Sequence, residues 1–209
     1  MIGRFRTQIF DVDDIRVRLR TPRRLKESAG VSREAFPVFG MVWPSGELLA
    51  IAMREYPIAG KRILEVGCGM ALASHVLNLR GADVTALDIH PVVGELLSNN
   101  ARANRADPIA FVTGSFSDAG LNIGKFDLII ASDVLYEPGH ARELPAFIDR
   151  HGATACEVVV ADPERGGFAT FMDGMAGQGF VPEARPMTVL PDQPYDIRVE
   201  RLVRGQIPK

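Results

Sequence analysis

Near its start the chain alternates apolar and charged residues, with Ile15, Val17 and Leu19 interleaved by Arg16, Arg18 and Arg20. A period of two places each set on one face of a strand. Residues 5–10 and 14–20 are therefore predicted as two strands, and Asp11 to Asp14 supply the turn chemistry of a hairpin. Residues 21–42 are rich in Pro, Gly and charge and read as an irregular crossing segment. The period then changes. Leu48, Leu49, Ala52 and Met53 follow helical spacing after Pro44-Ser45-Gly46, with Glu47 in the first turn and Pro57 as the stop.

Beyond Pro57 strands and helices alternate. Strands are predicted at 62–66, 83–87, 109–112, 126–131 and 157–161, and helices at 71–80, from Pro91 to about 104, within 140–150 and at 168–178. Pro91 suits a first helical position, and Pro145 either kinks its helix or marks the start of it. Two more strands, near 180–189 and 195–203, close the chain, and the second alternates charged and apolar residues as a half-buried antiparallel strand does. This order predicts an α/β fold: a parallel sheet covered by helices on both faces, plus an N-terminal β-hairpin. Residues 1–42 form the hairpin and crossing segment and 43–209 the main body, within one compact domain.

Composition narrows the function classes. The chain of 209 residues is 46% hydrophobic and 24% charged, with a net charge of -2, so the surface as a whole does not attract nucleic acid. Residues 1–36 hold nine Arg or Lys against five Asp or Glu. That basic arm is either a docking surface or the solvated face of a strand, and the alternation favours the strand. Cys68 and Cys156 show neither a disulfide framework nor metal-ligand spacing. No apolar run is long enough for a bilayer, and Met1-Ile2-Gly3-Arg4 lacks the apolar core of a signal peptide. The expectation is a cytoplasmic protein without membrane or nucleic-acid partners, as a monomer or weak dimer.

The chemistry concentrates where strands end. Ile63-Leu64-Glu65-Val66-Gly67-Cys68-Gly69-Met70-Ala71-Leu72 runs from a strand through a glycine turn into a helix. Small residues at Gly67 and Gly69 let a ligand approach the backbone. A dinucleotide fingerprint needs glycine at the sixth position, where this chain has Leu72. Glu65 is also a poor neighbour for pyrophosphate and a better one for a cationic cofactor such as S-adenosylmethionine. Asp88 ends the next strand, followed by Ile89, and either accepts hydrogen bonds from ribose hydroxyls or caps the helix after Pro91. Thr113-Gly114-Ser115-Phe116 offers Phe116 as a stacking face for adenine and Ser115 for its edge, or else core packing. Ser132-Asp133-Val134-Leu135-Tyr136 follows the most apolar strand. There Asp133 orients an amine and Tyr136 walls its channel, unless Asp133 only caps a helix. Asp162 and Arg165 follow the fifth core strand and either line the substrate entrance or pair with each other. Trp43 is a core anchor or a cover over the cofactor, and the four histidines show no metal-ligand grouping.

These residues carry a resemblance. Glu65-Val66-Gly67-Cys68-Gly69-Met70-Ala71 resembles the first motif of class I methyltransferases, with Ala71 in place of its last glycine. Val42-Trp43-Pro44-Ser45-Gly46, Asp133-Val134-Leu135-Tyr136 and Asp162-Pro163-Glu164-Arg165 extend it to the seven-strand protein lysine methyltransferases of family 16. The nearest branch acts on the β subunit of electron transfer flavoprotein. The resemblance implies a Rossmann-like three-layer sandwich with a seven-stranded, mostly parallel sheet, its last strand antiparallel; it also implies that residues 43–209 are the methyltransferase domain and that S-adenosylmethionine is the cofactor. It implies that Glu65, Gly67 and Asp88 hold that cofactor, with Cys68, Gly69, Ile89, Trp43, Ser115, Phe116 and Ser132 around it. It further implies that Asp133 and Tyr136 border the lysine channel of a protein substrate. A small-molecule N- or O-methyltransferase, a nicotinamide-dependent oxidoreductase and a binding module on an inactive methyltransferase fold are the competing readings.

Overall fold

Ile63, Leu64, Glu65 and Val66 are buried at every position, as befits a strand with neighbours on both edges and helices on both faces. In the computed structural model, which describes residues 5–22, 38–164, 166–183 and 196–205, that strand is the third of nine. The chain opens with β1 (Phe5–Val12) and β2 (Ile15–Pro22), then a 3-10 turn at Val38–Gly40 and α1 (Pro44–Arg54). It continues through β3 (Arg62–Val66), α2 (Leu72–Leu79), β4 (Asp83–Asp88), α3 (Val92–Ala103) and β5 (Ala110–Thr113). After these come β6 (Phe126–Ser132), α4 (His140–His151), β7 (Gly152–Asp162), α5 (Phe168–Gly177), β8 (Val181–Pro182) and β9 (Arg198–Arg204).

The seven strands β3 to β9 form one sheet in the order β5-β4-β3-β6-β7-β9-β8. The strands from β5 to β7 pair in parallel, and β9 runs antiparallel to both β7 and β8. Alternate residues feed opposite faces. Ile63, Leu128, Ile130 and Val159 pack with Leu49 and Met53 of α1, Val76 of α2 and Leu97 of α3. Leu64, Val66, Ile129 and Val158 pack with Leu144 and Phe147 of α4 and Phe171 and Met175 of α5. Each such fully buried large side chain contributes about 1.5–3 kcal/mol. The expected three-layer α/β sandwich is thus the observed one.

The hairpin joins the first of these layers. Val17 and Leu19 are fully buried in the same cluster as Leu97 and Val76, while Arg16, Arg18 and Arg20 face solvent. Asn104 accepts from the Arg18 amide at 2.7 Å and donates to its carbonyl at 2.8 Å; Asn100 accepts from the Arg20 amide at 2.8 Å. Two asparagines one helical turn apart, Asn100 on α3 and Asn104 at its C-terminal cap, thereby pair the open edge of β2, a backbone edge that would otherwise go unpaired.

Some boundaries differ from the sequence reading. β7 begins at Gly152, directly after α4, and its register against β6 shifts between Phe126 and Leu128. Gly-Ala-Thr-Ala-Cys carries little apolar pattern, so pairing rather than periodicity extends the strand. Pro145 lies inside α4, and its ring packs where Gly174 of α5 offers no side chain. Most of the strand expected at 180–189 lies outside the described residues, which retain Val181–Pro182 of it. No described helix is long and apolar enough to cross a membrane.

Strand order fixes where ligands go. The chain turns from β3 to β4 on one side and later returns to β6 on the other. Such a reversal leaves a crevice outside the carboxyl ends of the strands.

Candidate functional site

A cavity of about 350 Å³ occupies that crevice, a size typical of small-molecule sites. It is lined by the turns after β3, β4, β5 and β6 and by the segment leading into α1.

The turn after β3 forms the floor. Gly67 has φ +63°, and a Cβ there would lie 2.7 Å from Val134 Cγ1. Gly69 has φ +51° and passes beneath the Phe39 backbone, whose oxygen a Cβ would approach to 3.3 Å. Ala71 takes the same left-handed backbone at φ +54°, so the departure from the third glycine leaves the path of the chain intact and stores strain in it. As the residue before α2, Ala71 has no side chain to cap the helix. Glu65 does so instead: it accepts from the Ser74 amide at 2.9 Å and from the Ser74 hydroxyl. At 2% exposure Glu65 is desolvated, and burial, helped by nearby Asp88 and opposed by Ser74, raises its pKa to about 7.

Asp88 joins two turns. Its Oδ2 accepts from the Gly69 amide at 3.0 Å and its Oδ1 from the His90 amide at 2.9 Å. The residue before α3 is Pro91 and the helix receives no side-chain cap, so Asp88 serves the turn rather than the helix. Each oxygen keeps lone-pair capacity for a further donor.

The roof comes from residues 38–43. Trp43 Nε1 donates to the Val38 carbonyl at 3.0 Å, and the Phe39 ring lies 4.6 Å from that of His90. Pro44 occupies the first turn of α1, and the Trp43 carbonyl accepts from the amides of Gly46 at 2.9 Å and Glu47 at 3.1 Å.

The far wall follows β5 and β6. Ser115 bonds Ser117, and Phe116 is buried with its ring edge toward His140 at 4.8 Å. Ser132, Asp133 and Tyr136 line the cavity. Asp133 is held at φ +55°, with its amide donating to the Ala161 carbonyl at 2.9 Å. Tyr136 is half-exposed and stands edge-on to His140 at 5.1 Å, and partial burial pushes its phenol pKa up.

The structure therefore gathers Trp43, Glu65, Gly67, Cys68, Gly69, Asp88, Ile89, Ser115, Phe116, Ser132, Asp133 and Tyr136 around one cavity. It does not bring Asp162 there. That residue is 1% exposed, and its Oδ1 accepts from the Glu164 amide at 2.7 Å, closing the turn after β7. As folded, it has no surface to offer a substrate. Arg165 lies outside the described residues. Phe39, His90, Glu137 and His140 line the cavity without having been singled out. They sit in loops or at a helix start, where periodicity carries no signal.

The lining is electrostatically one-sided. It contains Glu65, Asp88, Asp133 and Glu137, and no Lys or Arg among the described residues. Such a cavity favours cations and disfavours a pyrophosphate. Among the described residues no cluster of His, Cys, Asp and Glu could hold a metal ion.

Residues 63–154 match the methyltransferase domain family. The electron transfer flavoprotein beta subunit lysine methyltransferase of Mus musculus is 28% identical over 162 residues, which cover 75% of this chain and 63% of the relative. The protein of the same name from Xenopus laevis is 30% identical over 166 residues, covering 75% and 65%. The chain thus spans a little under two thirds of these curated relatives' length. Among solved structures, magnesium protoporphyrin IX methyltransferase from Synechocystis PCC 6803, crystallised with bound SAM, superposes with a TM-score of 0.62 at 21% identity, covering 77% of this chain and 78% of that one.

Proposed function

We propose that this chain, whose residues 63–154 match the methyltransferase domain family, transfers a methyl group from S-adenosylmethionine to the side-chain amine of a lysine on a protein substrate. The observation that carries this reading is the cavity at the strand-order reversal, with four carboxylates and no described Lys or Arg in its lining. The cofactor has a sulfonium, an ammonium and no phosphate, and its acceptor is an amine, so both ligands bring positive charge to that lining. The residues also fit its shape. Gly67 and Gly69 bring backbone without side chains to the floor of the cavity, and Asp88 lies at the end of β4 with capacity for two ribose hydroxyls.

In this reading Glu65, Gly67, Cys68, Gly69, Asp88 and Ile89 hold the cofactor, with Trp43 above it and Ser115, Phe116 and Ser132 beside it. When bound, the cofactor supplies an already activated methyl group, so the protein's task is alignment and exclusion of water. Asp133 orients the amine and Tyr136 borders its channel, where an aromatic face stabilises the methylated ammonium. The relatives named for the electron transfer flavoprotein β subunit make that subunit the first acceptor to try. We place the reaction in the cytoplasm, on a monomer or weak dimer without a nucleic-acid partner, in keeping with the net charge of -2 and two unpaired, buried cysteines.

Calorimetry with S-adenosylhomocysteine and with NAD, followed by incubation with labelled S-adenosylmethionine and purified flavoprotein β subunit, tests the reading. Binding of the homocysteine product and label in protein are expected. Binding of NAD alone would overturn the cofactor, and label appearing only in low-mass products would replace the protein acceptor by a small molecule.

A further inference from the structure

We infer that His140 is the base that takes the proton from the methyl acceptor, an assignment that rests on the methyl-transfer reading above. A protonated lysine has no lone pair with which to attack a methyl carbon. Some group at the acceptor end of the cavity must therefore accept a proton first.

The lining carboxylates on the nucleoside side are already engaged, Glu65 by Ser74 and Asp88 by Gly69 and His90. At the other end His140 begins α4 next to Tyr136. Its Nδ1 lies 2.8 Å from the Val134 carbonyl oxygen. A carbonyl only accepts, so Nδ1 carries the hydrogen, and the neutral ring holds its lone pair on Nε2. The ring is set edge-on to both Phe116, at 4.8 Å and 78°, and Tyr136, at 5.1 Å and 79°. Exchanging the two nitrogens would break the Val134 bond inside that packing. Nε2 itself stands 3.5 Å from Glu137 Oε2, a carboxylate placed to stabilise the imidazolium once it forms. The side chain is 18% exposed, open enough to meet an acceptor and to return its proton to water.

The step balances. One N–H bond of the acceptor ammonium breaks, its electron pair stays on nitrogen, and the proton forms an N–H bond at His140 Nε2. That nitrogen pair then forms the C–N bond as the C–S bond breaks, sulfur keeps the bonding electrons as a neutral thioether, and the imidazolium later releases its proton to solvent.

His140→Asn is the discriminating variant, because the asparagine amide can still donate toward the Val134 carbonyl but offers no basic nitrogen. We expect S-adenosylhomocysteine affinity to stay within about twofold while methyl transfer to the flavoprotein β subunit falls about 100-fold or more. Transfer at the wild-type rate overturns the assignment. A second readout does not depend on the acceptor: long-range ¹⁵N NMR of labelled histidine in the S-adenosylhomocysteine complex, at mildly alkaline pH. Nε2 should be bare and Nδ1 protonated, whereas an Nε2–H tautomer overturns the assignment. If the wild-type chain methylates nothing in the flavoprotein, the acceptor proposed above is wrong, and the tautomer still decides for or against His140.

Discussion

Asp88 Oδ2 accepts a hydrogen bond from the Gly69 amide at 3.0 Å, tying the turn after β3 to the end of β4. With its other oxygen on the His90 amide, this carboxylate shapes the nucleoside end of the cavity before any ligand arrives. Charge-assisted bonds of this kind are worth about 1.5–3 kcal/mol each.

Asp88→Asn retains the side-chain shape but loses the charge and half of the acceptor capacity. We expect the dissociation constant for S-adenosylhomocysteine to rise about 30-fold, equivalent to roughly 2 kcal/mol. Calorimetry measures it directly, and unchanged affinity would remove Asp88 from the cofactor site.

Ala71 holds a left-handed backbone at φ +54°. That conformation costs a non-glycine residue about 1–2 kcal/mol. Ala71→Gly should therefore stabilise the fold by about 1 kcal/mol in urea denaturation, after allowance for the greater entropy of glycine in the unfolded chain. A destabilised variant would show that the alanine methyl, buried in the core cluster, contributes more by packing than it costs in strain.

Glu65 and His75 oppose each other in their dependence on pH. Burial raises Glu65 to about 7, so its contribution to stability is complete below its ordinary pKa near 4.5 and is lost as pH climbs toward 7. Burial lowers His75 to about 4, so its contribution is complete above 6.5 and is lost as pH falls toward 4. Each amounts to about 3 kcal/mol, of opposite slope. Unfolding of the ligand-free chain should be nearly independent of pH between these limits. Glu65→Gln should lose stability on acidification over this window, and His75→Leu should gain it. Parallel profiles for the two variants would refute the opposition.

Glu157 anchors a buried polar group at the other end of the sheet. Arg201 donates to its Oε2 at 2.6 Å, and Lys61 and the Tyr56 hydroxyl also bond to it. Burial pushes its carboxyl up, but Lys61, Tyr56 and Arg201 outweigh this and hold it below the ordinary range. Removing one partner of such a group leaves the rest desolvated and uncompensated. Glu157→Ala should cost about 3–5 kcal/mol by denaturant unfolding. Its affinity for S-adenosylhomocysteine should be unchanged at temperatures where the variant is folded, since Glu157 does not line the cavity.

Local chemistry by itself determined the alternation of strands and helices, the hairpin, and the turn from Glu65 to Leu72. Each depends on a period or a spacing that neighbouring residues express on their own: two for Val17 and Leu19, 3.6 for Leu48 to Met53, two glycines after a buried strand. Tertiary structure decided what meets across the chain. Phe39 over Gly69, His90 against Phe39, and His140 against Phe116 come from segments tens of residues apart, brought together only when β5, β4, β3 and β6 align in one sheet. It also sorted Asp133 from Asp162. Both end apolar strands and look equivalent in the sequence, but β6 is next to the strand-order reversal and β7 one position farther out. One carboxylate therefore lines the cavity and the other is buried in its own turn.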